Sequence, residues 1–183
     1  MRGTLEVITG PMFAGKTTEI IKRLLWSKHQ GKSTIIYKPA MDDRYSETEI
    51  VTHTKFSYEA TSIIDSFNIN PTYDHYFFDE IQFHDKNIVP SITKLLDEGK
   101  NVTVAGLDAD YKGVAFANTA TLMAMADEVF KIKSHCSLCG KDAAKTFKTG
   151  STSDQRIELG ENDLYRARCN EHWYVSGTDD SFS

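Results

Sequence analysis

The stretch Gly10-Pro11-Met12-Phe13-Ala14-Gly15-Lys16-Thr17 sets two glycines, a lysine and a hydroxyl at the spacing G-x-x-x-x-G-K-[ST]. A loop of this kind between a strand and a helix curls its backbone N–H groups inward, toward phosphate oxygens, and the helix N-terminus adds its positive end. Lys16 would then bridge the β- and γ-phosphates of a nucleoside triphosphate. Thr17 would offer its hydroxyl to Mg2+, with Thr18 counted in the same phosphate site. A second acidic signal lies at Tyr76-Phe77-Phe78-Asp79-Glu80, where an apolar run ends in two carboxylates. Asp79 is expected to hold the Mg2+. Glu80, on the alternate side of the strand, is expected to serve as a general base for a hydroxyl or a water. A third signal is the pair Cys136-x-x-Cys139 and Cys169-x-x-His172, which uses all 3 cysteines of the chain. Three thiolates and an imidazole make a closed tetrahedral Zn2+ set, structural rather than catalytic, with His135 as a competing fourth ligand.

These groups need a scaffold that alternates strand and helix. "TLEVIT" reads as a strand ending at Gly10, and Ile20, Ile21, Leu24 and Leu25 lie on one face of a helix over Thr17–Gln30, ended by Gly31. "STIIYK", "YDHYFFDE" and "NVTVAGL" read as further strands. "VPSITKLLDEGK" reads as a helix starting near Pro90, and "TATLMAMADEV" as another. Apolar strands separated by helices predict a parallel sheet covered on both faces, hence an α/β fold. Residues 40–61 and "LDADYKGVAF" read as long irregular loops. Beyond Val129 come short β-like pieces ("VFKIKS", "AAKTFKT", "QRIEL") broken by cysteines and turn residues. The expected division is a phosphate-binding domain over 1–130, a small zinc-bearing domain over 131–175, and a polar tail over 176–183.

The whole chain narrows the partners. Its 183 residues carry a formal net charge of -5 with no run of Lys and Arg, which argues against nucleic acid as the main partner. No apolar stretch approaches the roughly 20 residues needed to span a bilayer. The first ten residues lack the apolar core of a signal peptide, and an odd cysteine count makes no closed disulfide framework, so a cytoplasmic protein is expected. A GTPase switch would need N-K-x-D and D-x-x-G motifs, and neither is present.

Taken in order, "GPMFAGKTTE", the Asp-x-Arg-Tyr around Arg44 with Thr52-His53, "FFDEIQF", "GLD" and the C-x-x-C…Y-x-x-x-C-x-x-H ending resemble the type II thymidine kinases. In that family a P-loop domain is joined to a zinc-bearing segment and a lasso-like loop. The resemblance runs from about Thr4 to Tyr174. It implies ATP-dependent phosphorylation of the thymidine 5′-hydroxyl with Mg2+, in a homotetramer inhibited by dTTP. By motif, Glu80 would be the catalytic base, with Lys16, Thr17 and Asp79 as the phosphate and metal machinery. Met12, Phe83, Leu107 and Phe116 would line the thymine pocket. The lasso would run over about Thr146–Tyr165, with Thr146 beside the base methyl, Tyr165 near the sugar, and Arg44 supporting the transfer site.

Three departures stand out. Ala14 replaces the usual serine, and "LDADYKGVAF" lacks the family's glycine after the aspartate and its Arg-Lys-Pro run. His172 stands where a fourth cysteine is commoner. Without the resemblance, Phe83, Leu107 and Phe116 read as ordinary core residues and His84 as a surface or supporting group. The alternative function is a P-loop ATPase whose zinc segment binds a protein or nucleic-acid partner.

Overall fold

Leu5, Val7 and Ile8 are fully buried, as befits a strand whose two faces both meet other layers. The computed structural model describes residues 1–39, 49–51, 57–59, 61–63, 69–149 and 164–173. The expectations for Arg44, the Thr52-His53 pair, "QRIEL" and the polar tail fall outside these residues.

The elements follow in order β1 (Leu5–Thr9), α1 (Lys16–His29), β2 (Thr34–Pro39), β3 (Glu49–Val51), β4 (Ser57–Glu59), β5 (Thr61–Ile63) and β6 (His75–Phe78). A 3-10 turn (Ile81–Phe83), α2 (Ile88–Asp97), β7 (Asn101–Gly106), α3 (Ala117–Met125) and β8 (Glu128–Lys131) come next. The chain continues with β9 (Ser134–His135), β10 (Asp142–Ala143), β11 (Lys145–Lys148) and β12 (Tyr165–Arg168). Six strands form one sheet in the order β5-β2-β6-β7-β1-β8, and every pairing in it is parallel. Because neighbouring strands run the same way, the loops after β1, β6 and β7 emerge at one edge, where ligands of such sheets bind.

The two sheet faces are covered by different helices. On one, Ile8, Ile36, Phe77 and Ala105 pack with Ile20, Ile21 and Leu24 of α1. On the other, Val7, Phe78, Val102 and Val104 pack with Ile88, Ile92, Leu95 and Leu96 of α2 and Leu122 of α3. At the far end of the α1 face a polar chain replaces this packing. Thr103 donates to Glu6 at 3.3 Å, so His75 Nε2–H donates to Thr103 Oγ1 at 2.8 Å and its Nδ1 accepts from Ser27 at 3.0 Å. Arg23 closes the chain on Glu6 and Glu19. Burial, together with the charge of Lys32, pushes His75 down to about 4, so it is neutral near pH 7.

The structure differs from the sequence reading at four places. Helix α2 begins at Ile88, with Pro90 inside its first turn, where a missing N–H costs nothing because those donors have no helical partner. The loop read as irregular over residues 40–61 contains the antiparallel pair β3–β4. Immediately after it, β5 adds to the main sheet beside β2. "VFKIKS" opens with β8, which pairs with β1 and finishes the parallel sheet. Beyond it, the described residues form two antiparallel pairs, β9–β10 and β11–β12.

Candidate active site

The chain leaves β1 at Thr9 and enters α1 at Lys16, with Gly15 in a left-handed conformation at the helix N-cap (φ 83°). Phe13 is also left-handed, at φ 62°, so the loop coils tightly between the two elements. Gly10 faces the chain leaving β8: a Cβ placed there would lie 2.2 Å from the Ile132 carbonyl oxygen. Only glycine permits that approach. Lys16 Nζ donates to the Pro11 carbonyl at 2.6 Å, turning the ammonium over the loop. Ala14 and Lys16 are half-buried and Thr18 is exposed.

Thr17 Oγ1 donates to Asp79 Oδ2 at 3.0 Å. A hydroxyl and a carboxylate held this way offer the hard oxygen ligands that suit Mg2+. Asp79 and Glu80 already lie beyond β6, which ends at Phe78. Glu80 is therefore aimed by a turn and not by strand alternation. Its backbone is left-handed (φ 49°, ψ 48°), and its N–H donates to Asp79 Oδ1 at 2.9 Å. Such a conformation in a non-glycine residue costs about 1–3 kcal/mol and persists only where neighbours impose it.

Those neighbours were not legible as functional residues. His84 is buried and its Nε2–H donates to the Asp79 carbonyl at 2.9 Å. Burial drives it to about 4, which leaves the ring neutral. Asn118 donates to the carbonyls of Ile81 (3.2 Å) and His84 (2.8 Å). Gln82 Oε1 accepts from Leu107 N at 3.1 Å, tying the turn to the end of β7. None of these contacts has a periodic or motif signature. The "FFDEIQF" run hinted only at Gln82.

The residues expected around the base come together in part. Met12 N donates to Thr146 Oγ1 at 3.1 Å, joining the phosphate loop to β11. Phe83 and Phe116 meet edge to face, with ring centroids 6.4 Å apart. Leu107 and Phe116 are buried. Tyr165, also buried, sits in β12 opposite Lys148 and so shares the Thr146 hairpin. "LDADYKGVAF" forms a tight turn in which Asp110 Oδ1 accepts from the N–H groups of Lys112 and Val114.

Behind the hairpin, Cys136, Cys139, Cys169 and His172 present ligand atoms that all lie within 4.8 Å of one another. His172 Nδ1 is 3.2 Å from Cys169 Sγ and 3.7 Å from Cys136 Sγ, and the Cys139 and Cys169 sulfurs are 3.7 Å apart. A zinc–sulfur bond near 2.3 Å implies tetrahedral edges of about 3.8 Å, close to these separations, so the donor set suits Zn2+. Burial raises the Cys136 thiol, but backbone N–H groups of Cys169, Leu138 and Cys139 outweigh it and hold the thiol at about 6. His172 belongs to this cluster. His135, exposed in β9, does not. Among the described residues, the buried apolar cluster here consists of Cys136, Ala143, Ala167 and Cys169, small enough that a bound metal would add substantially to its stability.

The sequence model of the thymidine kinase family matches residues 3–173. The chain belongs to the thymidine kinase family. It is 37% identical over 187 residues to the thymidine kinase of Thermococcus kodakarensis, covering 94% of this chain and 95% of that relative. It is 42% identical over 183 residues to the thymidine kinase of Coprothermobacter proteolyticus, covering 96% of this chain and 92% of the relative. Among the described residues of this kinase, no helix is long and apolar enough to cross a membrane.

Proposed function

We propose that this kinase transfers the γ-phosphoryl group of ATP to the 5′-hydroxyl of thymidine, giving dTMP. The observation that carries the reading is the junction of Thr17 with Asp79 at 3.0 Å, with Glu80 the next residue and turned by its positive φ. That junction supports reading Thr17 and Asp79 as metal ligands and Glu80 beside them as the base. Loop N–H groups and Lys16 neutralise charge on the phosphates, and Thr17 and Asp79 would hold a Mg2+ ion, which would supply Lewis-acid stabilisation of the phosphoryl group. Glu80 accepts the proton of the attacking hydroxyl. Met12, Phe83, Leu107, Phe116, Thr146 and Tyr165 enclose the nucleoside, and Arg44 supports transfer. Assembly as a homotetramer and inhibition by dTTP belong to the same reading and rest on family membership, while the division at residue 130 and a cytoplasmic location rest on the sequence pattern.

The test is ATP consumption against a panel of nucleosides, with water alone as the blank and Glu80→Gln alongside. Thymidine-dependent turnover that drops by orders of magnitude in Glu80→Gln is the expected result. ATP hydrolysis indifferent to every nucleoside would replace the kinase by an ATPase.

A further inference from the structure

The residue after the last zinc-cluster donor is Trp173, and its contacts run away from the metal. Its Nε1–H donates to the Thr146 carbonyl at 2.9 Å. The same Thr146 accepts the Met12 N–H of the phosphate loop through its hydroxyl, at 3.1 Å. The indole edge lies against Gly113, where a Cβ would sit 3.1 Å from Cη2, and the Lys145 ammonium stands 5.5 Å from the ring centre. Trp173 therefore touches the hairpin and the loop after β7, two of the walls assigned above to the nucleoside.

Thr146 is 4% exposed and fixed at both ends: its carbonyl by the indole and its hydroxyl by the phosphate loop. Its strand pairs with β12, placing Thr146 opposite Ala167, two residues before Cys169. Trp173 itself is set by His172, whose N–H donates to the Cys169 carbonyl at 3.1 Å. Zinc bound by the four donors would hold the knuckle that carries Trp173. The chain of contact from the cluster to Met12 thus passes through one indole and one threonine.

We infer that Trp173 is a positioning residue for the nucleoside pocket: it holds Thr146 against the phosphate loop, so that a filled zinc cluster strengthens thymidine binding. This rests on the proposed function, since it takes Thr146 as part of the nucleoside site. The alternative is an indole that merely packs under the knuckle. It would alter stability and zinc content but not discriminate between the two substrates.

The chain has 2 tryptophans, and Trp26 is 65% exposed on α1. Trp26→Phe therefore leaves Trp173 as a single reporter. In that protein, thymidine should shift Trp173 emission saturably, and removing zinc with a chelator should weaken the thymidine affinity read from that shift. Trp173→Phe keeps a ring over Gly113 but loses the N–H. It should raise thymidine KM and calorimetric Kd by about threefold to tenfold, the worth of one hydrogen bond. ATP KM should change less than thymidine KM, and a zinc content of one per chain should stay put.

An unchanged thymidine KM in an active Trp173→Phe enzyme overturns the inference while leaving the kinase intact. Equal loss of ATP and thymidine affinity along with zinc overturns it as well, in favour of packing alone. If Trp173→Phe does not fold, the Trp26→Phe emission decides: no response to thymidine sinks the idea. Absence of thymidine-dependent turnover in the unmodified protein is the separate failure of the kinase reading.

Discussion

His75 should make this protein acid-sensitive, by an amount that follows from its surroundings. It lies at the start of β6, its Nδ1 accepting from Ser27 and its Nε2 donating to Thr103, which in turn donates to Glu6. Burial and the Lys32 charge hold its folded pKa at about 4, against 6.5 for the free side chain. The sign follows from proton counting. Below pH 6.5 the unfolded chain binds a proton that the folded one refuses until about pH 4. Stability is therefore complete above neutrality and falls as the medium is acidified through that window. Between pH 7 and pH 5 the loss for this one group is about 2 kcal/mol, or about 4–8 °C in Tm for a chain of this size. The assay is urea unfolding at pH 7, 6 and 5, with zinc constant, for wild type and His75→Gln. Glutamine keeps a donor and an acceptor but does not titrate. The wild type should lose about 2 kcal/mol more than the variant over this range. Equal losses in the two proteins would refute the reasoning, since acid effects on the zinc cluster are common to both.

Other expectations concern the site. Gly10→Ala pushes a methyl onto the Ile132 carbonyl, and the resulting shift of the loop should lower kcat/KM about a hundredfold. Steady-state kinetics on folded protein check this, and near wild-type rates would show that the loop yields. Metal analysis should find one zinc per chain, lost in Cys169→Ser together with a lower melting temperature. Zinc-free protein melting like wild type would remove the cluster's structural role. Thymidine should be preferred over deoxyuridine by about 10–200-fold in kcat/KM, because a methyl in an apolar pocket discriminates no better. A thousandfold preference would contradict the assigned pocket.

How much of this was written in the sequence depends on distance along the chain. The phosphate loop was legible because its requirements are local: Gly10, Gly15, Lys16 and Thr17 must fall at fixed spacing between β1 and α1. The zinc donors were legible as pairs, but the choice of His172 over His135 needed the fold to bring Cys136 and Cys169 together. The short strands β3 to β5 escaped because three-residue runs carry no usable period. The attachment of β8 escaped because its partner is β1, far back in the chain. Glu80 was singled out by the acidic pair in the sequence, yet the alternation rule used to aim it does not reach it. The strand ends at Phe78, and the turn that follows is held by Gln82 within it, His84 at its end and Asn118 from α3.

The central place of β1 bears on how the protein is made. Leu5–Thr9 is translated well before its sheet neighbours, residues 102–106 and 128–131. Until Lys131 has cleared the ribosome, the strand that launches the phosphate loop lacks its second flank. Contacts so distant in sequence form slowly. A nascent chain halted before β8 would leave β1 as a bare, apolar sheet edge, the kind of surface on which chains aggregate. The loop between β1 and α1 is thus synthesised long before the strands that brace it on both sides.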